Sequence, residues 1–100
     1  MFKFVNVLAI IVTLSASAYC HTGNPTASGV MPQVGMCACD KINGEWVKFG
    51  TRITLPDGRA LTVTDRFGDE RNNALDIFMQ SENECWQFGR KFLECRVEIP

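Results

Sequence analysis

One histidine, His21, is all that 100 residues provide. The C-x-C of Cys37 and Cys39 therefore has no partner pair at zinc-ligand spacing, and no metal or cofactor is expected. An excess of either charge is also missing, with ten Lys and Arg against eleven Asp and Glu. That balance supplies neither the basic footprint of a nucleic-acid binder nor a polybasic membrane patch. There is no internal repeat, low-complexity tract or linker, so the length fits one small domain, expected to be monomeric. Long apolar runs are absent too. Residues 4–14 are apolar but broken by Asn6 and Thr13, short of the roughly 20 residues of a membrane span.

What is present begins with a leader-like segment. Lys3, that apolar run and then Ala16-Ser17-Ala18 have the layout of a secretory signal peptide ending near Ala18; the rival reading is an uncleaved anchor. Residues 1–18 are then a leader and residues 19–100 the mature domain, with no stable membrane insertion after cleavage. Removing the leader takes away only Lys3, leaving nine basic and eleven acidic side chains. A secreted, periplasmic or cell-envelope location follows. Secretion makes disulfides reasonable among Cys20, Cys37, Cys39, Cys85 and Cys95. The odd count leaves a thiol over, and small buried hydrophobes are the competing account.

Residues 21–35, rich in Gly, Pro, Ser and Thr, read as an ordered loop. Lys41-Ile42-Asn43-Gly44 reads as a turn. Thr51-Arg52-Ile53-Thr54-Leu55 alternates with period two, Pro56-Asp57-Gly58 turns the chain, and residues 60–65 return as a strand. Residues 68–73 form a polar loop and residues 74–79 a further strand. Ser81-Glu82-Asn83-Glu84 is a capping box for a short helix, with Gly89 at its end. Residues 92–99 alternate again. Many short strands with one short helix predict a mainly β chain, a small β-barrel.

Three aspartates stand in or at the ends of these strands: Asp40, Asp65 and Asp76. Strands disfavour Asp, and a carboxylate on a packed sheet must be hydrogen-bonded or hold a proton. A carboxyl group that retains a proton near neutral pH is what acid–base chemistry needs. On the return strand Asp65 shares parity with Leu61 and Val63, so it is expected to point where they do. Thr26 and Ser28 are candidate groove hydroxyls, and Arg66 is a candidate cation for a substrate carboxylate or acetamido oxygen. The plainer account of Arg66 is an ion pair with Asp69 or Glu70. Trp46 and Trp86 are candidate sugar-stacking rings, with Trp86 expected to pack beside Cys85.

Taken in order, Tyr19-Cys20, Thr26-Ala27-Ser28-Gly29, Gly35-Met36-Cys37-Ala38-Cys39-Asp40, Gly50-Thr51, Thr64-Asp65 with Gly68, Leu75-Asp76-Ile77-Phe78 and Phe88-Gly89-Arg90 resemble the Asp-Asp-Asp (3D) domain family. That family includes the catalytic barrel of membrane-bound lytic transglycosylase A. The chain differs in having Arg66-Phe67-Gly68 where Thr-Gly-Gly is frequent, Ala74 where a basic residue is common, Lys41 where Pro is frequent, and a longer stretch over residues 41–49. The resemblance implies a six-stranded double-psi β-barrel with one or two short helices, acting on peptidoglycan or another polysaccharide. It implies Asp76 as catalytic acid and base, Asp65 as its supporting carboxylate, and Thr26, Ser28, Asp40 and Arg66 at the substrate. Asp40 is expected to be the most structural of these. A lytic transglycosylase is the activity implied. The alternatives are an expansin-like module that binds or loosens polysaccharide without cutting it, and an ordinary two-carboxylate glycosidase.

Overall fold

Alternating runs do become strands in the computed structural model, which describes residues 8–99. They are β1 (Leu8–Tyr19), β2 (Met36–Ala38), β3 (Lys41–Ile42), β4 (Glu45–Trp46), β5 (Arg52–Thr54), β6 (Ala60–Asp65), β7 (Ala74–Phe78) and β8 (Lys91–Ile99), with helix α1 (Glu82–Phe88) between the last two. Six of them close into a barrel in the order β1-β7-β2-β6-β5-β8, and β3 and β4 form a separate hairpin. β1 runs parallel to β7, and β2 runs parallel to β6. The remaining barrel neighbours are antiparallel. Parallel neighbours cannot be joined by a tight hairpin, so the chain crosses the barrel between them. This is the mainly β, closed six-stranded barrel with one short helix that the sequence predicts.

Period-two alternation builds the interior. Leu14 and Ala16 of β1, Cys37 of β2, Ile53 of β5, Leu61 and Val63 of β6, Leu75 and Ile77 of β7, and Cys95 and Val97 of β8 form one buried cluster. Ile10 and Val12 continue the β1 face toward the other end.

The expected leader and the barrel claim the same residues. Residues 1–7 lie outside the described residues, but residues 8–18 make up nearly all of β1, and Leu14 and Ala16 have no solvent exposure. β1 is hydrogen-bonded on both sides, from Ser15↔Ala74 to Tyr19↔Phe78 on β7 and from Leu8↔Ile99 to Ala16↔Lys91 on β8. A chain cut after Ala18 lacks this strand.

The turn at Asn43-Gly44 does more than reverse the chain. Both residues have positive φ, 51° and 81°. Asn-Gly favours that conformation in hairpins, and the flanking pairs form β3 and β4. At α1 the capping box is complete. Ser81 Oγ accepts from Glu84 N–H at 3.2 Å, and Glu84 Oε2 accepts from Ser81 N–H at 3.2 Å. Gly89, at φ 65°, ends the helix. No residue of α1 is buried.

Candidate active site

Strand pairing sets four residues in one row across the barrel wall. Ser17 on β1 is opposite Asp76 on β7, Asp76 is opposite Ala38 on β2, and Ala38 is opposite Asp65 on β6. Two strand spacings separate the Cα atoms of Asp65 and Asp76, roughly 10 Å. Between Cys37 and Ala38 the β2–β6 register slips, so that Cys37 faces Val63 while Ala38 faces Asp65, and Thr64 becomes the extra residue of a bulge. One extra residue exchanges the two faces of a strand. Asp65 therefore joins Ala38 and Asp76 on the outer face, and does not share the inward side of Leu61 and Val63 that simple alternation predicts.

Asp76 is half-buried on this face, while its neighbours Leu75 and Ile77 point into the barrel. Its Oδ1 accepts a 2.9 Å hydrogen bond from Ser17 Oγ. Burial pushes its carboxyl above the ordinary Asp range; the Ser17 hydrogen bond and the charges of Arg71 and Arg90 oppose this, and the Asp65 charge adds a small upward push. With Oδ1 engaged by Ser17, Oδ2 is the oxygen open to carry a proton. Asp65 is held differently. Its Oδ1 accepts from the N–H groups of Ala27 and Arg66, both at 2.8 Å.

Thr26 and Ser28 reach this region through the backbone of their loop. Ser28 N–H donates to the Thr64 carbonyl at 3.0 Å. The buried Thr26 hydroxyl donates to the Val30 carbonyl at 2.8 Å and lies 3.0 Å from Ser28 Oγ. These hydroxyls tie residues 26–30 into a turn, and that turn delivers the Ala27 N–H to Asp65.

Asp40 is fully buried, and its two oxygens accept from the N–H groups of Phe67 (2.9 Å) and Arg71 (3.0 Å). It anchors the loop over residues 66–73, so both its oxygens are committed to backbone. Asn in its place presents an amide donor to one of those N–H groups and leaves it without an acceptor. Asp40→Asn is therefore expected to destabilise the fold by about 1–3 kcal/mol in urea unfolding; an unchanged midpoint would remove Asp40 from this role.

Arg66 does not pair with Asp69 or Glu70. Those carboxylates go to Arg71 (2.9 Å) and Lys41 (3.7 Å). Arg66 instead donates to the carbonyls of Cys39 and Val47, with its guanidinium over Phe49 and Trp46, 4.2 and 5.5 Å from the ring centroids. It clamps the end of β2 to the segment after β4. The same loop carries Asn72 and Asn73, whose side-chain oxygens accept from Gly44 and Asn43 N–H at 2.8 Å. The polar loop is thus tied to the β3–β4 hairpin at several points.

Two contributors to the site fall within or next to the expected leader. One is Ser17. The other is Tyr19, whose hydroxyl is buried without a hydrogen-bond partner. Burial raises its pKa first, followed by the charges of Asp65 and Asp76. Tyr19 packs edge-on against Phe78, 5.5 Å between centroids. The polar–apolar alternation Thr13-Leu14-Ser15-Ala16-Ser17-Ala18 is the signal that marks this stretch as a strand.

A recess of about 370 Å³, walled in part by Ile10, Ile42, Trp46 and Val97, lies toward the far end of β1 from Ser17. Another, of about 490 Å³, reaches from Phe78 to Val34, Arg59 and Phe88, beginning two residues beyond Asp76 on β7. Neither is lined by Asp65 or Asp76. Trp46 is 53 % exposed; Trp86 is 83 % exposed and does not pack as the sequence predicts, because α1 turns that side chain to solvent. Compared with known protein families and with curated proteins, the sequence matches none.

Proposed function

We propose that the protein cleaves glycosidic bonds of peptidoglycan as a lytic transglycosylase of the 3D type, in the periplasm or cell envelope. The observation that carries this reading is Asp76. It is a half-buried carboxyl group with a raised pKa, oriented by Ser17 and placed in one row with a second carboxylate. A burial-raised carboxyl group is suited to deliver a proton to a glycosidic oxygen.

In the proposed reaction Asp76 Oδ2 gives its proton to the leaving oxygen, and the C1–O bond breaks with its electron pair going to that oxygen. Positive charge develops at C1 and the ring oxygen, where the carboxylate of Asp65 favours it electrostatically. Asp76, now ionised and stabilised by the Ser17 hydroxyl, takes the proton of the sugar's 6-hydroxyl. O6 closes on C1, and a 1,6-anhydro ring forms without water as nucleophile. Asp76 ends protonated, ready for another cycle.

Binding without cleavage is the second reading. The exposed Trp46 ring beside the 370 Å³ recess, away from the carboxylates, favours it. Digestion of purified peptidoglycan followed by mass analysis separates the possibilities. Anhydro-ended fragments are expected. Hydrolysed reducing ends would identify a two-carboxylate glycosidase instead, and bound but intact polymer a binding module.

A further inference from the structure

We propose that the 490 Å³ recess beyond Asp76 is a subsite for an acidic peptide, the one that peptidoglycan carries on its muramyl sugar. The assignment rests on the glycan-cleaving reading and names what flanks the bond being cut. Phe78 follows Asp76 by two residues on β7, so period two puts both side chains on the same face, roughly 7 Å apart along the strand. Phe78 is buried, yet it lies outside the barrel-core cluster to which Leu75 and Ile77 belong, as that face requires. It walls the recess. A sugar with its C1 at Asp76 therefore has its other substituents beside the recess. The muramyl sugar bears its peptide on the lactyl ether at O3, two carbons from C1.

The lining matches a peptide. Phe78, Met79, Phe88 and Val34 give apolar walls. Gln80 and Gln87 add side-chain amides, each with donors and an acceptor, as a peptide group has. Neither amide is hydrogen-bonded among the described residues, and both side chains are exposed. Arg59 supplies a cation. Asp57 takes its Nε at 2.8 Å, and its terminal nitrogens stay unengaged among the described residues. Lys91 brings a second cation to the Phe88 wall, with Nζ 4.3 Å from the ring centroid. The acid of the lining, Glu84, has its Oε2 committed to the N–H groups of Gln80 and Ser81. The groups left to meet a ligand are cations and amides, which suits a peptide with free carboxylates.

The test has a binding arm and a rate arm. Peptides released from peptidoglycan by an amidase are titrated into the folded full chain while the side-chain amide resonances of Gln80 and Gln87 are followed. Both should shift and saturate. Arg59→Ala should weaken binding by about 10-fold, the loss expected for a hydrogen bond between charged groups. Gln87→Ala, on the exposed side of α1, should weaken it too. Peptides amidated at their carboxyl groups should bind about 10-fold less tightly than the acids; equal affinity would overturn the role of Arg59.

In the second arm the parent receives intact peptidoglycan and the same polymer stripped of its peptides. Binding energy from a remote part of the substrate should make kcat/KM about 10-fold higher on the intact polymer. Arg59→Ala should narrow that ratio. Peptide binding with neither polymer cut would keep the subsite and remove the glycan-cleaving reading. Equal cleavage of both polymers would overturn the subsite and leave cleavage itself in place. Unmoved glutamine resonances would overturn the subsite whether or not the polymer is cut.

Discussion

Asp76→Asn should bring glycan cleavage to background, a loss of at least about 10³-fold, while the barrel stays folded and continues to bind polymer. The amide keeps the size of the carboxyl group, and its oxygen still accepts from Ser17 Oγ, but it has no proton to give at neutral pH. The same substitution should not weaken the fold. A carboxyl group whose pKa is raised on folding favours the native state below its ordinary range, and that benefit is lost as pH rises through the folded value. For Asp76 the rise comes first from burial. Above that folded value the parent carries a carboxylate that folding disfavours, and there the Asn variant should melt at the same temperature or slightly above. This advantage should fade toward acid pH. Asp65→Asn should lose less activity, on the order of 10–10²-fold, since an electrostatic group is removed and the proton donor remains. Product release from peptidoglycan, with circular dichroism at pH 7 and pH 4, reads both effects. A folded Asp76→Asn variant cutting at the parental rate would sink the assignment.

The largest structural effect is expected from removing residues 1–18. The remaining chain has no β1, so β7 and β8 become unpaired edges and the inner face loses Ile10, Val12, Leu14 and Ala16. Leu14→Ala alone should cost about 2–5 kcal/mol, against a total stability of about 5–15 kcal/mol for a domain. The fragment 19–100 is accordingly expected to lack a cooperative thermal transition and the dispersed amide spectrum of the full chain. A well-folded fragment with the same spectrum would show that β1 is dispensable. N-terminal sequencing of exported protein addresses the same question in the cell, because a molecule beginning at Tyr19 cannot contain this barrel.

Local chemistry explains which features could be read in advance. The helix was legible because Ser81 and Glu84 satisfy each other's backbone partners within four residues. Strands β6 and β8 are legible because apolar and polar residues alternate over Leu61-Thr62-Val63-Thr64 and Leu93-Glu94-Cys95-Arg96-Val97. β1 was not, since apolar residues followed by Ala-Ser-Ala satisfy a leader and a barrel strand equally. Pairing with β7 and β8, far along the chain, is what makes the stretch a strand. Asp65 and Asp76 could be singled out as candidates because Asp is unusual in strands. The face occupied by Asp65 could not, because one bulge residue, Thr64, reverses it and leaves no mark in composition. Sequence proximity points Arg66 to Asp69 and Glu70, whereas backbone carbonyls and two aromatic rings compete successfully for its guanidinium.

The position of β1 also sets an order of events during synthesis. This apolar strand is synthesised before its two partners, β7 and β8. At roughly 5–20 residues per second, β1 waits about 3–12 s for β7, the earlier of its two partners. Throughout that interval the nascent chain displays an unpaired apolar strand to every chaperone and targeting factor near the exit tunnel. Whichever of them engages it must release β1 before the barrel can close.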